Sequence, residues 1–142
     1  MKRLLVTGSR SWEDTAAVVR VLDGILTNWG ALTVVHGGAR GADQIAAAWA
    51  ARRAPWVAAE CWDPDWAVCG GPECTPQHRK VNSGGQEFCP TAGLRRNTAM
   101  CQSRIDFAVA FHMGASAGTA HCVRQIHRAG IPGVLYPEGM PL

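Results

Sequence analysis

The chain has 142 residues, of which 47% are hydrophobic and 18% charged, and its formal net charge is +3 at pH 7. This length is typical of one domain with a core of its own, and the composition excludes a disordered chain. No apolar run approaches the ~20 residues of a membrane span and none fits a secretory leader, so we expect a cytoplasmic protein with no membrane partner. The modest positive charge does not favour a dedicated nucleic-acid binder.

Short apolar runs alternate with amphipathic segments along the chain. This alternation predicts strands at 4–6, 32–35, 56–59, 105–111 and 131–136, and helices at 13–27, 43–53, 94–103 and 118–129. Ser11 is the predicted N-cap of the first helix. Because the strands are nearly continuous apolar runs separated by helices, they predict a single α/β domain over 1–142. Its parallel sheet should have about five strands, with helices on both faces.

Glycine-rich loops follow three of the predicted strands, at 8–10, 36–41 and 114–119. Since the carboxyl ends of parallel strands meet at one edge of a sheet, we expect the three loops to lie together. Glycine allows backbone amides to approach a ligand, and a helix N-terminus behind each loop favours an anion. The loops therefore predict a phosphate site. Neither a Walker A loop nor a strict GxGxxG fingerprint is present, which disfavours ATP hydrolysis and NAD-linked redox chemistry.

The alternation is interrupted by a segment at 61–93 that is rich in Pro, Gly, Cys and Trp and lacks periodicity. It is too long for an ordinary βα loop. Within it Cys69, Cys74, His78 and Cys89 form a Cys₃His set, which is the composition of a closed structural zinc site. The alternative is an exposed loop with incidental cysteines. We predict a zinc-knuckle-like insertion in which zinc supplies folding energy that the segment lacks.

Other cysteines and aromatic residues surround this set. We predict that Cys61, Cys101 and Cys122 are small buried hydrophobes. Trp62 and Trp66 precede the set, and they either stack on a base or pack against the sheet. Because the insertion leads directly into Arg95-Arg96-Asn97, we expect it to position that segment as a lid.

Four segments of the chain carry a resemblance to a known family. They are Thr7-Gly8-Ser9-Arg10, Val35-His36-Gly37-Gly38-Ala39-Arg40-Gly41-Ala42-Asp43, Arg95-Arg96-Asn97-Thr98-Ala99-Met100 and Gly118-Thr119. In this order they resemble the YspA-like branch of the SLOG superfamily over almost the whole chain. The resemblance implies a Rossmann-like fold, a nucleotide or nucleotide-derived ligand, and a homodimer.

The same resemblance implies which residues bind the ligand. Arg10, Arg40 and Arg96 would hold phosphates, while Asp43 either contacts ribose hydroxyls or stabilises the first turn of its helix. The full predicted set is Gly8, Ser9, Arg10, Gly37, Gly38, Arg40, Asp43, Arg96, Asn97, Gly118 and Thr119.

Members of this superfamily differ in activity, and three hypotheses follow. The first is binding of a nucleotide or nucleotide-derived ligand, by a sensor or by an enzyme of unproved chemistry. The second is a Lonely-guy-like hydrolase that cleaves the N-glycosidic bond of nucleoside 5′-monophosphates. In that reading Arg96 takes the place of the catalytic Arg, but Cys122 stands where that family has its catalytic Glu. The third is DprA-like binding of single-stranded DNA, which the modest charge disfavours.

Overall fold

The apolar runs form the strands of one sheet in the computed structural model, which describes residues 1–72 and 74–142. The elements are β1 (Lys2–Gly8), α1 (Thr15–Trp29), β2 (Leu32–His36), α2 (Ala42–Ala51), β3 (Val57–Cys61), β4 (Lys80–Val81), β5 (Glu87–Phe88), α3 (Ala92–Gln102), β6 (Phe107–Phe111), α4 (Ala117–Arg128), β7 (Gly133–Tyr136) and β8 (Met140–Pro141). In these residues the strands form a six-stranded sheet in the order β3-β2-β1-β6-β7-β8, together with a separate β4–β5 hairpin.

The predicted α/β class and the parallel sheet are confirmed. The first five strands of the large sheet are parallel, and β8 adds an antiparallel sixth strand to the predicted five. Side chains alternate across β1, so that Leu4 and Val6 pack with α1 and α2 while Leu5 packs with α3 and α4. Helices therefore cover both faces. In the part of the chain that the structure describes, no helix combines the length and the apolar character that crossing a membrane requires.

The first helix begins later than the sequence predicts. Its N-cap is Asp14, whose carboxylate accepts a hydrogen bond from the Ala17 N–H at 3.0 Å. The prediction of Ser11 as N-cap is therefore wrong. The reason is Trp12, which is buried against Phe111 and closes a turn after β1 before the helix can start.

The prediction for the isolated cysteines is confirmed for two of the three. Cys101 and Cys122 are buried between α3, α4 and the sheet, whereas Cys61 is exposed. Cys61 ends β3, which is the outermost strand of the six-stranded sheet in the described residues. Along β3 Val57 is buried, whereas Ala58, Ala59 and Cys61 are exposed. The prediction failed at Cys61 because the helices that cover the inner strands leave most of this edge strand uncovered.

The insertion contains a hairpin that the sequence analysis missed. Strands β4 and β5 pair Lys80 with Phe88 and Val81 with Glu87. In the turn between them the Asn82 side-chain oxygen accepts hydrogen bonds from two backbone N–H groups, at 2.9 and 3.0 Å. Such an Asn-centred turn is a recognisable local signal, but strands of two residues are too short to show any periodicity.

Candidate functional site

A cleft of about 740 Å³ opens between β1 and β6, where the order in which the chain adds strands to the sheet reverses. From β1 the chain adds β2 and then β3 on one side, and it later adds β6 and then β7 on the other side. The position between β1 and β6 is therefore the topological switch point, where α/β proteins bind ligands. The loops after β1 and β6 line this switch-point cleft, as do Gly37 after β2, the first turns of α2 and α4, and one side of α3.

Nine of the eleven predicted ligand residues line the switch-point cleft. The exceptions are Gly38 and Arg40, both of which are exposed on the loop after β2. The nine are Gly8, Ser9, Arg10, Gly37, Asp43, Arg96, Asn97, Gly118 and Thr119.

Ser9 connects the two loops that frame the cleft. It is 1% exposed, and its backbone N–H donates to the Phe111 carbonyl at 2.9 Å. Its hydroxyl donates to the Met113 carbonyl at 3.1 Å and accepts from the Met113 N–H at 2.8 Å. These three bonds hold the loop after β1 against the loop after β6, so Ser9 positions the rim of the cleft.

Arg96 reaches across the cleft floor to the loop after β2. Its Nη1 donates to the carbonyls of Gly37 and Trp62, the second at 3.0 Å, and its Nε donates to the Asn97 side-chain oxygen at 2.9 Å. A Cβ on residue 37 would lie 2.3 Å from Nη1, so this approach requires glycine there. The guanidinium is thus held in place while it faces the cleft, as an anion-binding group should be.

Asn97 joins α3 to the first turn of α4. It is 6% exposed, and its side-chain nitrogen donates to the Gly118 carbonyl at 3.3 Å and contacts His121 Nδ1 at 3.4 Å. In the same turn the hydroxyls of Ser116 and Thr119 are hydrogen-bonded at 2.9 Å. The N-terminal turn of α4 is therefore fixed beside Arg96, and its N–H groups add positive potential to the cleft.

Asp43 is a buried carboxylate with one oxygen engaged and one that has no hydrogen-bond partner among the described residues. Oδ2 accepts hydrogen bonds from the N–H groups of Gly37 at 2.9 Å and Ala39 at 3.3 Å, whereas Oδ1 is fully buried and has no hydrogen-bond partner among the described residues. Burial raises the pKa of Asp43 to about 6, against the opposing effects of those two N–H groups and of the Arg96 and Arg10 charges. Asp43 thus shapes the loop after β2 and also offers an acceptor at the cleft.

Comparison with known proteins gives the family. The model of the YspA, cpYpsA-related SLOG family (YAcAr) matches residues 2–69, which include the first two glycine loops. The chain is also 38% identical over 134 residues to the Gene 61 protein of Mycobacterium phage D29, covering 93% of this chain and 94% of that protein. The chain belongs to the YspA, cpYpsA-related SLOG family. No solved structure matches it significantly.

The position at which Lonely-guy-like SLOG proteins carry their catalytic Glu lies outside the switch-point cleft. Cys122 is completely buried, in the cluster that also contains Leu5 and Met100. The hydrogen bond that the neighbouring Cys101 thiol donates to Cys122, together with burial, raises the pKa of Cys101. Among the described residues, Asp43 is the carboxylate that lines the cleft of this SLOG protein.

The Cys₃His residues of the insertion come together as the sequence predicts. The ligand atoms of Cys69, Cys74, His78 and Cys89 all lie within 4.8 Å of one another, so this Cys₃His cluster could bind a metal ion. The separation is 3.1 Å from Cys69 Sγ to His78 Nε2, 3.5 Å from Cys89 Sγ to the same nitrogen, and 3.6 Å from Cys74 Sγ to Cys89 Sγ. A tetrahedral zinc ion separates such ligands by about 3.5 to 3.8 Å. The two longer separations agree with this range, whereas the Cys69 and His78 atoms would have to move slightly apart to hold such an ion.

The sulfurs of the Cys₃His cluster also accept hydrogen bonds from two arginines. The sequence analysis did not connect these arginines with the metal. Arg95 Nη1 lies 3.0 Å from Cys74 Sγ and 3.3 Å from Cys89 Sγ. Arg79 Nη1 lies 3.4 Å from Cys69 Sγ. Guanidinium groups donating to sulfur favour the thiolate form that a metal requires, and they offset its negative charge.

Proposed function

We propose that this SLOG protein binds a nucleotide or a nucleotide-derived ligand in the switch-point cleft. The observation that carries the proposal is the buried Oδ1 of Asp43, which has no hydrogen-bond partner among the described residues and lies in a cleft that also holds Arg10 and Arg96. A buried acceptor left unpaired is costly, and a ligand hydroxyl would satisfy it. The SLOG family supports a nucleotide-related ligand.

The charges of the cleft suggest how the ligand is oriented. Phosphate oxygens would lie near the guanidinium groups of Arg10 and Arg96 and at the N-terminal turn of α4, where positive potential is concentrated. A ribose hydroxyl would donate to Asp43, because a carboxylate repels phosphate but accepts readily from a hydroxyl. A site built in this way favours a phosphorylated ribose over free phosphate.

Calorimetric titration tests this proposal with AMP, GMP, CMP, UMP, ribose 5-phosphate and inorganic phosphate as ligands. We expect at least one nucleotide to bind, and to bind more tightly than inorganic phosphate. Asp43→Asn should weaken nucleotide binding about tenfold and leave phosphate binding unchanged. Arg20→Ala, which removes an exposed arginine of α1, is the control. Absence of binding by all four nucleotides at millimolar concentration would contradict the proposal.

N-glycosidic hydrolysis of a nucleotide is a second candidate function, and Asp43 is the observation that favours it. A buried carboxyl with a pKa of about 6 is suited to general acid–base catalysis near neutral pH. Chromatography of the nucleotide panel after incubation with the protein would detect a released base. Release by the native chain that is lost in Asp43→Asn would establish the hydrolase, whereas binding without release would leave ligand binding alone.

We also propose that the Cys₃His cluster binds structural zinc. The chain supplies four ligands, so a tetrahedral ion has no open position for substrate or water. Two of the ligands, His78 and Cys89, lie just before β4 and α3, so a zinc ion would bring the hairpin and the start of α3 together. It would also hold the segment around Trp66, because the Cys89 N–H donates to the Trp66 carbonyl at 2.7 Å. Thiolate ligands also agree with a reducing cytoplasm, which is the location that we expect because no run in the sequence fits a secretory leader.

A further inference from the structure

A second cavity adjoins the switch-point cleft. It has a volume of about 720 Å³ and is lined by Arg10, Trp66, Ala67, Asn82, Gln86, Glu87 and Phe88. This hairpin groove shares Arg10 and Trp66 with the cleft, so the two residues stand at the border between the cavities. Each volume falls within the range of about 300–1,000 Å³ that small-molecule ligands occupy.

Trp66 is placed to stack on a planar group at this border. Its ring meets the Phe88 ring at 81°, with centroids 6.2 Å apart, yet 40% of the residue remains exposed. On its other side the indole reaches α3, where a Cβ on Gly93 would lie 3.5 Å from it. An aromatic ring fixed at two points but open to a cavity is a base-stacking platform.

The charges of the two cavities differ in a way that assigns different parts of a ligand to each. The cleft holds Arg96 and the N-terminal turn of α4, whereas the hairpin groove holds the Glu87 carboxylate, 3.5 Å from Arg79 Nε. A carboxylate disfavours phosphate in the groove. The Gln86 amide can instead donate to and accept from the edge of a heterocycle. The Asn82 side-chain nitrogen can donate to it as well, whereas the Asn82 oxygen already accepts two backbone N–H groups. Arg10, at the border, is placed to neutralise a phosphate that connects the two halves.

From this juxtaposition we infer that the ligand is a dinucleotide, that is, two nucleosides joined through phosphate. One nucleoside occupies the switch-point cleft, the linking phosphate lies beside Arg10, and the second base stacks on Trp66 in the hairpin groove. This inference rests on the proposed function. It adds that the insertion, which contributes Trp66 and the hairpin, selects two linked bases over one.

The test compares AMP with two adenine dinucleotides, one with a 5′–5′ diphosphate link and one with a 3′–5′ phosphate link, by calorimetric titration. We expect one of the two to bind five- to one-hundredfold more tightly than AMP, which is the range that stacking of one base provides. Trp66→Ala should remove this gain and Trp66→Phe should keep most of it. Gln86→Ala, which changes an exposed groove residue, should reduce the gain. Trp56→Ala is the matched control, because Trp56 is 63% exposed and lines neither cavity.

The outcomes separate this inference from the proposed function. If AMP binds and neither dinucleotide binds more tightly, or if the gain survives in both Trp66→Ala and Gln86→Ala, the dinucleotide inference is wrong and the cleft proposal stands. If a single-stranded decanucleotide binds more tightly than either dinucleotide, the groove belongs to a nucleic-acid path and the inference is also wrong. If no nucleotide of any kind binds, both proposals fail.

Discussion

Arg95 and Arg96 are neighbours in α3, yet their side chains serve different sites. Arg95 donates to the sulfurs of Cys74 and Cys89, and Arg96 donates to the Gly37 carbonyl at the floor of the switch-point cleft. Successive residues of a helix point about 100° apart, so one turn can face two sites at once. The start of α3 is therefore the physical connection between the Cys₃His cluster and the cleft.

Alanine substitutions at these two positions should affect different ligands, the nucleotide in one variant and zinc in the other. Arg96→Ala removes a guanidinium from the cleft, and we expect nucleotide affinity to fall about 10- to 100-fold while metal content is unchanged, because a charge-assisted hydrogen bond contributes about 1.5–3 kcal/mol. Arg95→Ala should lower zinc affinity, because it removes donors to two ligand sulfurs, with a smaller effect on the nucleotide. Calorimetry and elemental analysis of both variants measure the two effects. An equal loss of nucleotide affinity in both would contradict the division.

Gly37→Ala should act as if it removed Arg96 from the cleft. The added Cβ would meet the end of the Arg96 side chain, which can move away, so we expect a small change in stability but a loss of nucleotide affinity close to that of Arg96→Ala. The double variant should bind no worse than either single variant, because both remove the same interaction. Gly24→Ala is the control. Gly24 is an exposed helical residue with no atom near its Cβ position, and its substitution should stabilise the fold by up to about 1 kcal/mol.

The pH dependence of stability should reveal the buried carboxyl of Asp43. Its pKa is about 6 in the folded chain, above its ordinary value, so the folded state binds the proton more tightly than the unfolded state does. The ionised form consequently costs about 3 kcal/mol above pH 6, and this cost disappears as the pH falls toward 4. We expect Asp43→Asn to be more stable than the native chain at pH 7.5 and similar to it at pH 4.5.

Urea denaturation at the two pH values measures this difference, and Glu138→Gln, which neutralises an exposed carboxyl, is the control. If Asp43→Asn is more stable than the native chain but binds the nucleotide more weakly, the Asp43 carboxylate destabilises the fold and strengthens ligand binding. If the native chain and Asp43→Asn differed by the same amount at both pH values, Asp43 would not titrate as stated.

Metal removal should loosen the insertion and leave the sheet intact. We expect one zinc ion per chain by elemental analysis, and a chelator should speed amide exchange in residues 66–91 while β1 and β6 stay protected. Cys74→Ser should lose the metal, whereas Cys61→Ser, which changes an exposed cysteine outside the cluster, should keep it. Unchanged exchange in residues 66–91 after complete chelation would contradict a structural role for the metal.

The sheet could be predicted from the sequence because buried parallel strands are continuous apolar runs, as in Leu4–Val6. The convergence of the glycine loops followed from the same topology, since their strands end at one edge. The direction of individual side chains could not be predicted. Arg10 and Arg40 each lie two residues after a glycine near the end of a strand, yet of the two only Arg10 lines the cleft. The sequence does not distinguish them because the backbone direction of a loop leaves no periodic signal. The sequence also could not predict that Asp43 Oδ1 has no hydrogen-bond partner among the described residues, since this depends on which N–H groups the folded loop presents.

The contact between Gly37 and Arg96 also offers a way to sort related sequences. Because a Cβ at residue 37 and the guanidinium would occupy the same space, the residues at positions 37 and 96 have to be compared as a pair. A relative with glycine and arginine at these places can form the same anion-binding floor. A relative with a larger residue in place of the glycine must turn its arginine elsewhere, and its ligand would then differ in charge even where the rest of the fold is shared.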